Sequence, residues 1–130
     1  MSLTDGKPAD VLARERRSFG YAFAGIGHAW RTQAHLRIQV GLGLLALVLA
    51  WALALTPPEW AVVLATITLV LVLELLNTAV EAAVDLASPD HHPLARVAKD
   101  VTAGAVLVAS IGAILVAVAL FVPRLLALAR

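Results

Sequence analysis

Residues 71–86 read LVLELLNTAVEAAVDL and place three acids and an asparagine among mainly apolar neighbours. Glu74, Asn77, Glu81 and Asp85 are separated by three, four and four residues, so on an α-helix they share one face. A charged side chain at the centre of a membrane helix costs about 2.5–3.5 kcal/mol even by insertion scales. We therefore expect this acidic stripe to face protein or a polar crevice and not lipid.

The composition around the stripe is that of a membrane protein. Of the 130 residues, 61% are hydrophobic and 15% are charged, against about 45–50% and about 25% in soluble domains. A formal net charge of +1 offers no excess of positive charge to a nucleic acid, and none is expected as a partner. The absence of cysteine excludes disulfides and thiolate metal sites.

Three apolar runs are long enough to cross a membrane, because a spanning helix needs about 20 apolar residues. We place the spans at about 36–55, 60–86 and 100–122, with the acidic stripe in the second. Prolines at 57, 58, 89 and 93 separate the spans, and Pro123 is expected to end the third.

The segment at about 10–33 predicts an amphipathic helix lying on the membrane surface. Its apolar residues recur at helical spacing with arginines between them, as in interfacial helices. Gly20, Gly25 and Gly27 weaken this helix and leave a break there open.

Basic residues indicate the orientation. Eight of the ten lie in the N-terminal segment up to Arg37 or in the 87–99 loop, and the 56–59 turn has none. The positive-inside rule then places the N-terminus, this loop and the stripe's end in the cytoplasm. We expect a multi-pass protein of the inner (plasma) membrane with a cytoplasmic active site.

The third span carries a row of small residues, Ala105, Ala109, Ala113 and Ala117, at four-residue spacing. Such rows let helices approach closely. Whether the neighbouring helix belongs to the same subunit or to another stays open.

The charged groups favour phosphoryl transfer. Lys99 and Asp100 stand where the third span is expected to start, at the level of the stripe. Carboxylates can hold Mg²⁺, another carboxylate can take the proton of a hydroxyl, and basic side chains can bind phosphates. Phosphoryl transfer needs chiefly this positioning and charge neutralisation.

Three other interpretations compete with the interpretation of this protein as a kinase. A network of ion pairs that only joins helices is disfavoured, since burying ion pairs seldom gains stability over apolar packing. A proton- or cation-conducting subunit would need polar groups in the outer half of the spans, which is uncharged. A structural assembly protein would account for the alanine row alone. The other acids (Asp5, Asp10, Glu15, Glu59 and Asp90) are expected to be ordinary surface or loop residues.

The stripe resembles the central motif of the prokaryotic diacylglycerol kinase/undecaprenol kinase family of small membrane lipid kinases. The match runs through residues 74–86, 98–100 and 103–107, with further matches at 18–25, at Trp30 and at 36–38, and the resemblance extends from about Arg14 to Pro123. The resemblance implies an all-α membrane protein, a homotrimer of three-span subunits with a surface helix, and active sites between subunits. It implies one kinase domain over residues 1–130, with Mg²⁺ and ATP, and a membrane lipid alcohol as acceptor.

The resemblance also implies roles for individual residues. Glu74 corresponds to the general base on the lipid hydroxyl, and Asn77, Lys99 and Asp100 to the other catalytic residues. Glu81 corresponds to a metal ligand, and Gln33 stands where the family often has a second, glutamate ligand. The ATP-binding set comprises Arg14, Arg17, Tyr21, Gln33, Glu81, Asp85, Asp90, His91, His92, Lys99 and Asp100, and the lipid-binding set comprises Arg14 and Glu74.

Short stretches at 37–38, 58–60 and 85–86 resemble the undecaprenol kinase branch of the family and favour undecaprenol as the lipid acceptor. The expected reaction is ATP-dependent phosphorylation of undecaprenol to undecaprenyl phosphate. The alternative is phosphorylation of diacylglycerol to phosphatidic acid.

Overall fold

The computed structural model describes residues 8–88 and 92–129, and in them it contains four α-helices and no strand. Helix α1 spans Pro8–Thr32, α2 spans Ala34–Ala52, α3 spans Pro57–Ala87 and α4 spans Pro93–Leu128. Helices α2, α3 and α4 are long and apolar enough to cross a membrane. The all-α class and the three spans are therefore confirmed.

Contacts divide the chain into two compact units, with the boundary between Thr32 and Gln33. In the first unit, α1 continues through Gly20, Gly25 and Gly27 without a break. A glycine weakens a helix by about 1 kcal/mol but keeps its backbone N–H, so it does not end the helix as a proline can. The position of α1 on the membrane surface stays a prediction.

The turn between α2 and α3 is fixed by the start of α3. Thr56 is the N-cap residue and Pro57 follows it at the first helical position, where proline is favoured. The carboxylate of Glu59 accepts hydrogen bonds from Thr56 N at 2.8 Å and from Thr56 Oγ1 at 2.7 Å. These bonds satisfy polar groups that would otherwise lack partners at the helix end.

Glu59 is not an ordinary surface acid, and that expectation was wrong. Arg124 Nη2 lies 2.8 Å from both Glu59 carboxylate oxygens, and Arg124 Nη1 donates to the Leu120 carbonyl at 3.0 Å. The two side chains are partly buried. They join the beginning of α3 to the end of α4. The two residues are 65 positions apart, so the sequence alone did not indicate that they pair.

The expectation that Pro123 ends the last span was also wrong, because α4 continues to Leu128. Proline removes one N–H, the partner of the Ala119 carbonyl four residues earlier, and the long α4 continues past this single missing bond. The helix also begins at Pro93 and not near 100. His92 caps it, with Nδ1 accepting from Leu94 N at 3.2 Å.

The core of the second unit lies between α2, α3 and α4. Ala50, Leu55, Val63 and Phe121 form a buried cluster, and Ala117 of the alanine row packs against it within the same chain. Large apolar side chains on all three helices remain exposed, including Leu42, Leu69 and Ile114. These surfaces suit contact with lipid or with other subunits.

Two glycines of α2 give a matched test of this packing. A methyl group added at Gly43 would lie 3.1 Å from Ile67 Cγ2, whereas one added at Gly41 meets nothing within 4 Å. Ile67 is β-branched and cannot move aside easily. We expect Gly41→Ala to stabilise the protein by about 1 kcal/mol, because alanine favours a helix more than glycine does. Gly43→Ala should lose this stabilisation, because overpacking against Ile67 costs about 1–3 kcal/mol.

Thermal unfolding of both variants in one detergent measures the difference. Equal shifts in Tm would show that α2 and α3 do not approach closely at Gly43.

Candidate active site

The acidic stripe lies along α3 and changes from buried to exposed along its length. The side chains of Glu74 and Asn77 are only 4% and 8% exposed, Glu81 is half-buried and Asp85 is exposed. At about 1.5 Å per residue, Glu74 and Asp85 are separated by about 16 Å along the helix. The stripe therefore reaches from the interior of the helix group towards the end of α3.

Glu74 is held by a residue of α2. Gln39 Nε2 donates to Glu74 Oε2 at 3.2 Å, and the other amide atom, Gln39 Oε1, is buried without a hydrogen-bond partner. Sequence reasoning missed Gln39. The available signal was that Gln39 is the one polar side chain in the apolar run from Ile38 to Leu55.

A second cluster surrounds Glu81, one helical turn after Asn77. Asn77 Nδ2 donates to Glu81 Oε1 at 3.0 Å, and Gln33 Nε2 lies 3.4 Å from Glu81 Oε2. Asn77 Oδ1 is buried and has no hydrogen-bond partner. The structure thus brings together Gln33, Asn77 and Glu81, which the sequence had singled out from two separate segments.

Lys99 and Asp100 belong to exposed ion pairs. Lys99 Nζ donates to Asp85 Oδ1 and so links α4 to α3. Arg96 Nε lies 3.7 Å from Asp100 Oδ2, four residues along α4. Because α4 begins at Pro93, Lys99 is in its second turn and is not the helix-start residue that the sequence suggested. Exposed pairs of this kind contribute about 0–1 kcal/mol.

The other predicted site residues are distributed as follows. Arg14, Arg17 and Tyr21 are exposed on α1, and Arg17 Nε donates to the Ala13 carbonyl of its own helix at 3.3 Å. His92 is the N-cap of α4. Asp90 and His91 lie outside the described residues. The role of each of these residues stays a prediction.

An open groove lies between α2, α3 and α4. Its volume is about 320 Å³, and its lining is almost entirely apolar, including Leu42, Ile67 and Phe121. Gln39 also lines it, so the groove reaches the residue that is bonded to Glu74. A buried carboxylate therefore lies close to a cavity that suits an apolar chain.

The Glu81 cluster has the chemistry of a Mg²⁺ site. Within residues 8–88 and 92–129, no three histidine or acidic side chains converge as a metal site. Mg²⁺ commonly takes only one or two protein carboxylates and completes its shell with phosphate oxygens and water. Glu81 supplies a carboxylate, and the buried, unpartnered Asn77 Oδ1 is an oxygen that a cation would satisfy. These residues fit the ion.

Three membrane-length helices indicate an integral membrane protein, and its buried carboxylate Glu74 is bonded to a residue that lines an apolar groove. Residues 20–121 match the family model described as prokaryotic diacylglycerol kinase. The chain belongs to this family.

Individual relatives agree with this assignment. A diacylglycerol kinase from Synechocystis is 46% identical over 112 residues, which is 85% of this chain and 64% of that protein. An undecaprenol kinase from Bacillus subtilis is 36% identical over 88% of this chain and 93% of that protein. A diacylglycerol kinase from Escherichia coli is 34% identical over 76% of this chain and 81% of that protein. The family and these relatives are named as lipid kinases, and the chain is therefore assigned to the lipid kinases.

Proposed function

We propose that this protein transfers the γ-phosphoryl group of ATP to the hydroxyl group of a membrane lipid alcohol, with undecaprenol as the physiological acceptor. The observation that carries the proposal is the position of Glu74. Glu74 is 4% exposed, and its carboxylate is bonded to Gln39, which also lines an apolar groove.

Glu74 is the proposed general base. Its carboxylate takes the proton of the lipid hydroxyl while the hydroxyl oxygen forms a bond to the γ-phosphorus of ATP. The bond from that phosphorus to the β–γ bridging oxygen breaks, and its electron pair leaves with ADP. A base held in place at the reacting hydroxyl contributes about 10²–10⁴-fold to the rate.

Mg²⁺ is the proposed cofactor, held by Glu81 with the amide oxygen of Gln33, and Asn77 is near enough to contribute. When bound, the ion neutralises charge on the phosphates. Rotation of the Gln33 and Asn77 amides would turn their oxygens towards a cation, because each amide now directs its nitrogen at Glu81.

The nucleotide is proposed to bind near the exposed end of the stripe. Three residues are proposed to lie beside the nucleotide. Lys99 can bind phosphate, because basic groups do so strongly. The other two are Asp85 and Asp100. Arg14, Arg17, Tyr21 and the segment Asp90, His91 and His92 are the remaining proposed contacts with ATP, and Arg14 is proposed to contact the lipid as well.

The groove between α2, α3 and α4 is the proposed site of the lipid chain. Its apolar lining favours hydrocarbon, and its contact with Gln39 would place a terminal hydroxyl near Glu74. This arrangement accounts for a charged catalytic group inside a membrane helix, where ionisable residues are otherwise disfavoured.

The proposed assembly is a homotrimer with active sites between subunits, each subunit being one kinase domain with its N-terminus in the cytoplasm. The exposed apolar surfaces of the three spans and the small residues of α4 support close contact between subunits. The concentration of basic residues in the segment up to Arg37 and in the first turns of α4 supports the orientation.

Diacylglycerol is the second candidate acceptor. The 46% identity to a diacylglycerol kinase favours it, whereas the undecaprenol kinase relative aligns over more of its own length. The branch-like residues at 37–38, 58–60 and 85–86 favour undecaprenol.

A side-by-side acceptor assay decides between the two lipids. Purified protein is given ATP, Mg²⁺ and mixed micelles that contain equal mole fractions of undecaprenol or diacylglycerol. We expect kcat/KM for undecaprenol to be about 10-fold higher, equivalent to about 1.4 kcal/mol of transition-state discrimination. A higher kcat/KM for diacylglycerol would overturn the assignment of the acceptor.

A further inference from the structure

The side-chain amide of Gln39 has one bonded atom and one buried atom without a partner. Its amide nitrogen donates to Glu74 Oε2 at 3.2 Å, and its amide oxygen is buried without a hydrogen-bond partner. A hydrogen bond that served only to join α2 to α3 would need the nitrogen alone. An unpartnered buried acceptor is destabilising and is uncommon in folded proteins.

The chemistry of Glu74 gives the second amide atom a use. An ionised carboxylate can only accept hydrogen bonds, whereas a protonated carboxyl group also has one O–H to donate. A primary amide has both a donor and an acceptor, on atoms that exchange places when the amide plane rotates by half a turn. Gln39 can therefore pair with Glu74 in either protonation state.

We propose that Gln39 is a positioning residue that holds Glu74 in place before and after proton transfer. This inference rests on the proposed role of Glu74 as the base. Before the reaction, Gln39 Nε2–H donates to the carboxylate. When Glu74 has taken the lipid proton, the Gln39 amide turns and its Oε1 accepts the new carboxyl O–H.

The proton balance of the step is complete. The lipid O–H bond breaks, the proton moves to Glu74, and the lipid oxygen forms its bond to phosphorus as ADP leaves. Gln39 gains and loses no proton, because only its hydrogen bonds change. Return of the Glu74 proton to water after product release restores the starting arrangement.

The location of Gln39 supports this role over a purely structural one. Gln39 lines the groove proposed for the lipid chain and also bonds to Glu74, so one residue connects that groove with the base. A misplacement of about 1 Å in a reacting group can reduce a rate by about 100-fold. The carboxylate oxygen that Gln39 holds is thus fixed where a small displacement has a large effect.

The test compares Gln39→Leu with Gln39→His and with wild-type protein in the lipid phosphorylation assay. Leucine removes both donor and acceptor, whereas neutral histidine has one nitrogen of each kind. We expect Gln39→Leu to lower kcat by about 100-fold with the KM for ATP unchanged, and Gln39→His to recover part of kcat. Thr68→Val is the control, since the Thr68 hydroxyl bonds only to its own helix, at Leu64 O.

Two results would overturn the proposal while leaving the kinase function standing. One is a normal kcat in Gln39→Leu. The other is a loss of kcat in proportion to the loss of folded protein, with no recovery in Gln39→His, which would indicate a structural contact only. If wild-type protein phosphorylates neither lipid, the proposed function itself fails and this inference fails with it.

A second measurement tests the bond between Gln39 and Glu74 without depending on enzyme activity. In ¹⁵N-labelled protein, the side-chain amide signals of Gln39 are identified by their loss in Gln39→Leu. We expect Glu74→Ala to shift these signals and Thr68→Val to leave them in place. Unchanged Gln39 signals in Glu74→Ala would show that the two side chains are not bonded, which contradicts the proposal even if a variant is poorly active.

Discussion

Replacement of Glu74 by glutamine is expected to lower kcat for lipid phosphorylation by about 10²–10⁴-fold, the usual contribution of a general base. Glutamine keeps the shape of the side chain and removes its ability to take a proton. Stability should not fall, because a neutral amide is easier to bury than a carboxylate. The Gln39 amide can also rotate to accept a hydrogen bond from the new residue. Initial rates with saturating ATP and lipid, normalised to folded protein, measure the effect.

Glu59→Gln is the matched control on the same helix. Glu59 caps α3 and pairs with Arg124, so its replacement should lower Tm while the rate per folded molecule is maintained. Glu74→Gln should do the reverse. Retention of activity in Glu74→Gln would refute its assignment as the base, and equal effects of the two replacements would show that the loss is due to folding.

Replacement of Glu81 by glutamine is the second change with a large expected effect. It removes the carboxylate that Asn77 and Gln33 surround. The Mg²⁺ concentration needed for half-maximal transfer should rise by about 10–100-fold or more, since altering even the partners of a metal ligand has effects of that size. The measurement is a Mg²⁺ titration of the rate at fixed ATP. An unchanged midpoint would place the metal elsewhere.

Gln33→Glu tests the same cluster in the opposite direction. It places a second carboxylate near Glu81, where Gln33 Nε2 now lies 3.4 Å from Glu81 Oε2. Two like charges so close repel each other, and a divalent cation between them relieves the repulsion. Tm should therefore fall without Mg²⁺ and recover when Mg²⁺ is added, whereas wild-type Tm should respond little. Equal responses of the two proteins would show that Gln33 is not near the metal.

The spans were predictable because their signal is local. A helix that crosses a membrane needs a long apolar run, and the composition of α2 and α4 supplies it directly. The position of the acidic stripe on one face followed from helical spacing alone. Helix ends were less predictable: Pro123 lies inside α4, and the contact of Arg124 with Glu59 in the last turns of that helix depends on how α3 and α4 pack.

The partners of the stripe could be predicted only in part. Gln33 was noticed through the family motif, and the structure places it beside Glu81. Gln39 was missed because one glutamine in an apolar helix has no pattern of its own, and its meaning depends on how α2 packs against α3. The pairing of Lys99 with Asp85 likewise depends on the contact between α3 and α4. Contacts across helices are set by packing and cannot be read from spacing within one helix.

The most direct test of the account is transfer of the γ-phosphoryl group itself. Purified wild-type protein and Glu74→Gln are incubated with γ-labelled ATP, Mg²⁺ and micelles containing undecaprenol, and the extracted lipid is identified by mass spectrometry. We predict labelled undecaprenyl phosphate from the wild-type protein and almost none from Glu74→Gln. Absence of labelled lipid with wild-type protein, when diacylglycerol is also offered, would contradict the account.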